Sequence, residues 1–328
     1  MKITYEMIDR QLRMTGKLTS CIFKISREDD IQKQYTRMQK VIEMTQSGRR
    51  CIGVKCKEEF IRRSKDRSRI RVRVYQSQQP KGNVPGILWL HGGGYALGVP
   101  EVCNRRYKAF TRQSDCVVIA PHYRLSITDP YPAALEDAYD TLLWMKKHAN
   151  ELGIRSDQLM VGGESAGGGL AAALCLLARD RGDVNIAFQM PLYPMLDDRM
   201  VTESATENNA PIWNSVTNEK AWRLYLGELY GNKVTQYAAA ARATNFSNLP
   251  PMVTFIGELE VFRDETIQYA KNLRKAGVPV RIKVFKGCYH AFDITNPWAD
   301  ASKEADRFVM QAFRYAMKNF FAMQPEEK

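Results

Sequence analysis

The stretch 161–178, VGGESAGGGLAAALCLLA, sets one hydroxyl, Ser165, among glycines and alanines at the head of an apolar run. Such a cluster often serves only close helix packing, because residues with little or no side chain let backbones approach. Its pattern says more. Gly163-Glu164-Ser165-Ala166-Gly167 fits G-x-S-x-G, which chance produces in about 6% of chains of this composition and which is only suggestive alone. The context is stronger: a strand-like run ends just before the motif and a helix-like run opens near Ala166. A serine on such a strand–turn–helix elbow sits in strained backbone, tolerable only where neighbouring side chains are nearly absent. The small residues make room for the turn and for an approaching substrate.

Working outward, from about residue 70 short apolar runs alternate with helical patterns. The runs are GILWLH (86–91), CVVIAP (116–121), QLMVGG (158–163), IAFQMPLY (186–193), PMVTFIG (251–257) and VRIKVFKG (280–287). Near-continuous apolar strands separated by helices predict an α/β fold with a mostly parallel central sheet covered on both faces. Two segments break this rhythm. Residues 1–60 read as helical and amphipathic, with Met7, Leu12, Met14, Met38, Ile42 and Met44 among many charges, and residues 199–235 interrupt the alternation between two strands. Both are expected to form a cap over the ligand-binding end of the sheet, within a single domain whose core spans 70–328.

The charge is concentrated at one end. Residues 1–85 carry 21 Lys+Arg against 9 Asp+Glu, whereas the remainder is balanced at 27 against 27. Within that region Ile70, Val72 and Val74 alternate with Arg69, Arg71 and Arg73, which predicts a solvated edge strand. No nucleic-acid module or stacking aromatic pattern accompanies the arginines, so no nucleic-acid partner is expected. No run reaches membrane-spanning length, and the first twenty residues hold no apolar core of signal-peptide length. Seven cysteines without paired metal-ligand spacing read as free thiols in a cytoplasmic protein, with no metal site.

His91-Gly92-Gly93-Gly94 follows the strand-like ILWL, and chance gives that motif in about one such chain in a thousand. A glycine run there offers bare backbone amides. Those of Gly92 and Gly93, joined by that of Ala166, can hold the oxygen that turns negative when a serine attacks an ester carbonyl. A serine hydroxyl also needs a base. Of the four histidines, His91 belongs to the glycine motif, His148 to a helix end, and His122 to a strand end. His290 follows the last strand and a glycine, so it should lie beyond the sheet's C-terminal edge. The acid should come earlier in the chain, and GELEVFRDE (257–265) supplies Glu258, Glu260, Asp264 and Glu265. Asp264 more naturally opens the next helix, where a carboxylate favours the N-terminus.

The motifs HGGG, YRL, YPAALED, GESAGG, YPMLDDR, GELEVFRDE and YHAFD occur in this order across roughly residues 86–293. In that order the chain resembles the hormone-sensitive-lipase-type branch of the α/β-hydrolases, which includes acetyl esterases and carboxylesterases. Glu260 stands where that family usually carries aspartate, and His122 where an aspartate commonly precedes the tyrosine. The resemblance implies an α/β-hydrolase fold with an N-terminal cap segment and a triad of Ser165, Glu260 and His290. It further implies hydrolysis of small short-acyl esters without a cofactor. Self-association into a homo-oligomer is left open. The rival readings are a non-catalytic small-molecule receptor on the same scaffold and an interfacial lipase. An intact serine–histidine pair speaks against the first. The lack of a hydrophobic docking helix speaks against the second.

Overall fold

The computed structural model describes residues 1–22, 25–26 and 28–326. Eight strands form one sheet: β1 (Lys55–Arg62), β2 (Arg69–Gln76), β3 (Val84–Leu90), β4 (Val117–Pro121), β5 (Ile154–Glu164), β6 (Phe188–Leu192), β7 (Met252–Gly257) and β8 (Val280–Phe285). Their order across the sheet is β1-β2-β4-β3-β5-β6-β7-β8. β1 and β2 are antiparallel to each other, β2 is antiparallel to β4, and every later pairing is parallel.

This parallelism follows from the helices that separate the strands. In chain order the α-helices are α1 (Arg13–Ile22), α2 (Ile31–Gln46), α3 (Asn104–Gln113), α4 (Ala133–Lys147), α5 (Ala149–Leu152), α6 (Ala166–Arg181), α7 (Ser215–Leu226), α8 (Arg263–Lys275), α9 (Phe292–Thr295) and α10 (Asp300–Asn319), of which α3 to α8 lie between strands. Each crossover returns the chain to the same edge, so the loops after β3, β5, β7 and β8 all open at the sheet's C-terminal end. Those four loops hold the glycine motif, Ser165, Glu260 and His290.

The central pairing sets their register. Leu88 lies opposite Val161 and Leu90 opposite Gly163, so the glycine motif and the serine leave adjacent strands at the same level. Strands β3 to β7 are almost wholly buried, as their unbroken apolar runs require. α6 packs directly on this edge. A Cβ on Gly167 would stand 2.1 Å from the Leu90 carbonyl oxygen and 2.4 Å from that of His91, so any side chain there would force helix and strand apart. Close packing is therefore a second reason for the small residues around Ser165.

Two expectations need correction. The Arg69–Gln76 strand is not at the edge: β1, most of which falls within the segment 1–60 expected to be helical, pairs with it over eight residues and takes the outer position. Two of the three arginines that suggest a wet face, Arg71 and Arg73, are paired with carboxylates, while Arg69 is exposed. Arg71 makes a two-pronged pair with Glu101 at 2.8 and 2.9 Å and a third bond to Glu58 at 2.8 Å, while Arg73 approaches Glu58 at 3.5 Å. Local alternation cannot reveal partners thirty residues away. The helical part of the N-terminal segment accordingly ends at Gln46. No helix among the described residues is long and apolar enough to cross a membrane.

Candidate active site

Ser165 follows β5 and precedes α6 with φ 57° and ψ −120°, a conformation that costs a non-glycine residue about 1–3 kcal/mol. Its backbone is over-determined: the Ser165 N–H donates to Leu192 at 3.0 Å, and its carbonyl accepts from Gly169 at 3.0 Å and Met195 at 3.1 Å. Serine is a favoured helix cap, yet this hydroxyl caps nothing. Oγ lies instead 2.8 Å from Nε2 of His290.

His290 stands on the loop after β8, its ring edge-to-face with Tyr193 and Phe262. Its Nδ1 is 2.5 Å from Oε2 of Glu260. The other Glu260 oxygen accepts the Gly257 N–H at 2.7 Å, so a fully buried carboxylate has both oxygens engaged. The neighbouring acids point elsewhere. Glu258 accepts from the Gly287 N–H at 2.9 Å and Asp264 from the Ser204 N–H at 2.8 Å. Glu265 accepts from the Leu196 N–H, and burial pushes its pKa well above the usual carboxylate range. Residues 258–262 form turns rather than a helix, so Glu260 and Asp264 do not share a face.

The glycine motif leaves β3 beside the serine: a Cβ on Gly92 would stand 3.4 Å from that of Ser165. Among the described residues, the N–H groups of Gly92, Gly93 and Ala166 have no protein acceptor. His91 anchors the loop. It stacks on Tyr123, its Nδ1 lies 2.8 Å from the Gly92 carbonyl oxygen, and the Tyr123 hydroxyl donates to the His91 carbonyl at 2.7 Å. Burial lowers the His91 pKa to about 3, so this loop carries no titrating charge near neutrality. His122 follows β4 and donates its backbone N–H to Arg71, and His148 closes α4.

The arrangement can relay a proton from a hydroxyl to an imidazole oriented by a carboxylate, beside amide donors for a developing oxyanion. Above it lies a cavity of about 340 Å³ with an almost wholly apolar wall. Tyr35, Met38 and Ile42 of α2, together with Leu97, Trp213 and Ile294, form much of that wall. Among the described residues, no group of three His, Cys, Asp or Glu side chains is placed to hold a metal ion.

One buried network went unseen in the sequence. Arg106 on α3 reaches Glu164 at 3.1 Å, Asp293 at 2.6 Å and Asp306 at 2.7 Å. Burial pushes Asp293 up to about 6, Arg106 opposes that shift, and Glu164 adds to it. The only sequence signal was position: Glu164 adjoins Ser165, and Asp293 lies three residues beyond His290. Removing the guanidinium strands buried carboxylates, which typically costs about 3–5 kcal/mol. Arg106→Met should lose stability of that order in denaturant unfolding; a loss under about 1 kcal/mol would show the network to be dispensable.

Comparison with known proteins agrees with this architecture. A family model for the α/β-hydrolase fold matches residues 87–294. Esterase LipI of Mycobacterium tuberculosis is 32% identical over 213 residues, covering 65% of this chain and 67% of that protein. Carboxylesterase NlhH of the same species is 32% identical over 216 residues, covering 65% and 68%. Among solved structures, a bacterial heroin esterase superposes with a TM-score of 0.86 at 32% identity, covering 96% of this chain and 99% of that one. Esterase LipW from Mycobacterium marinum gives 0.78 at 29% identity, covering 95% and 97%. The chain belongs to the α/β-hydrolase fold family, in its hormone-sensitive-lipase-type branch.

Proposed function

We propose that this protein is a serine carboxylesterase acting on small esters with short acyl groups. The observation that carries the reading is the continuous line from Ser165 Oγ through His290 to Glu260, set beside the free amides of Gly92, Gly93 and Ala166. In this mechanism His290 Nε2 takes the hydroxyl proton as Oγ bonds to the acyl carbon, and the carbonyl electrons move onto the oxygen held by the three amides. Collapse of that intermediate expels the alcohol, which receives the proton from His290. Water then attacks the acyl-enzyme by the same route and releases the acid. Glu260 holds the imidazole in the required tautomer and stabilises the imidazolium.

The apolar cavity supports a neutral substrate with little polar decoration, and its modest volume supports a short acyl group. α2 and residues 199–235 serve as the cap in this reading. A pure receptor would have no use for the serine–histidine contact. Every residue invoked lies on one chain, so self-association is not required. The six described cysteines carry free thiols, which supports a reducing cytoplasmic setting.

A series of nitrophenyl esters from acetyl to palmitoyl tests substrate class directly. kcat/KM should peak among the short chains, and Tyr35→Ala with Met38→Ala should move the peak to longer ones by widening the wall. A wild-type peak at palmitoyl would overturn the short-acyl reading in favour of a lipase.

A further inference from the structure

Helix α2 turns Tyr35, Met38 and Ile42 toward the cavity, yet position 39, on a buried face of the same helix, is glutamine. A buried primary amide destabilises the fold unless its hydrogen bonds are made. The Gln39 partners are specific. Oε1 accepts the N–H of Gly98 at 2.7 Å, while Nε2 donates to the Gly98 carbonyl at 3.1 Å and to Glu43 at 2.9 Å. One side chain thus grips both backbone groups of one residue, and among the described residues those two groups have no other partner.

Gly98 in turn touches the anchor of the glycine motif. Its φ is +116°, and a Cβ there would stand 2.5 Å from Nδ1 of His91. That same nitrogen lies 2.8 Å from the Gly92 carbonyl. The loop between is closed on itself, because the Gly93 carbonyl accepts the N–H groups of Ala96 and Leu97. Gln39, Gly98, His91 and Gly92 therefore form an unbroken chain of contacts from the N-terminal helices to the amides beside Ser165.

We propose that Gln39 is a positioning residue for the oxyanion loop, through which α2 fixes the amides of Gly92 and Gly93. This rests on the serine-esterase reading and deepens it: the N-terminal segment aligns the reacting groups as well as walling the cavity. Oxyanion donors are useful only within a few tenths of an ångström of where the charge develops, and losing one outright typically costs about 10²–10³-fold in kcat. Loosening two donors through their support should cost about 10–100-fold. The loss should fall on kcat, since the oxyanion exists only in the transition state and intermediate.

The test compares wild type with Gln39→Met, which keeps the bulk and loses all three bonds, and with Gln39→Glu, which keeps an acceptor for the Gly98 N–H. Steady-state kinetics on nitrophenyl butyrate are read beside the rate at which a fluorophosphonate labels Ser165. Expected for Gln39→Met are a kcat about 10–100-fold lower, a labelling rate lower in the same proportion, and KM within about threefold. Gln39→Glu should fall between, and it supplies the reading if the methionine variant does not fold. An unchanged kcat and labelling rate, or a rise in KM alone, would show that Gln39 merely docks the helix and would overturn the proposal. Failure of the reagent to label Ser165 in wild type overturns the esterase reading and this proposal with it.

Discussion

Ser165→Ala should lower kcat on nitrophenyl esters by about 10⁴–10⁶-fold while the chain stays folded. The size follows from what the hydroxyl does in the proposed mechanism. Without Oγ there is no acyl-enzyme, and His290 can only activate water at a distance from the carbonyl. What survives is the help given by the amides of Gly92, Gly93 and Ala166 and by substrate binding, which is modest beside the covalent route. Folding should not suffer. The Ser165 hydroxyl satisfies no backbone group, so its loss strands only one nitrogen of His290, at a site opening on the cavity. The bonds that hold the elbow are made by the Ser165 backbone and survive the change. Stoichiometric fluorophosphonate labelling of wild type, lost in the variant, would complete the argument. Wild-type turnover by the alanine variant would remove Ser165 from the mechanism.

The parts of this molecule that were legible in the sequence are those governed by local rules. The parallel core was readable because each buried strand is a short apolar run bounded by turn residues. The elbow was readable because Gly163, Ser165 and Gly167 are dictated by one turn and one helix contact within five residues. The sheet edge was not. β1 carries Glu58 among its exposed positions, and its membership depends on Arg71 and Arg73 finding carboxylates, a tertiary fact. Arg106 was hidden for the same reason: its carboxylates come from β5, from the segment after His290 and from α10, and no spacing rule links them. Gln39 lay inside a stretch read only as amphipathic, where a glutamine is ordinarily a solvated residue. Its burial becomes visible only once Gly98 is beside it.

Glu260→Gln should cut kcat by about 10²–10⁴-fold with little change in KM, whereas Asp264→Asn should act chiefly on stability. The two acids lie four residues apart, and a helix between them would have aimed both at one place. The turn at 258–262 separates them instead. Glutamine at 260 can still accept the Gly257 N–H through its oxygen. Its NH₂ then faces Nδ1 of His290 and favours the tautomer that places the proton on Nε2, where Ser165 needs an acceptor. A neutral amide also cannot stabilise the imidazolium. Both losses are felt in the transition state and hardly at all in ground-state binding. Asp264 sits in the first turn of α8, paired with Arg263 at 2.7 Å and accepting the Ser204 N–H. Burial pushes its pKa upward, but Arg263 and Ser204 outweigh that, so the folded pKa lies below the ordinary 3.8. A depressed carboxylate stabilises the fold above its unfolded pKa, and that contribution is lost as pH falls through the folded value. Asp264→Asn should therefore cost about 0.5–1.5 kcal/mol near neutrality, and the gap to wild type should close in acid below pH 3.8. Paired kinetics and denaturant unfolding at two pH values check both halves. An inactive Asp264→Asn beside a near-normal Glu260→Gln would move the acid from one residue to the other.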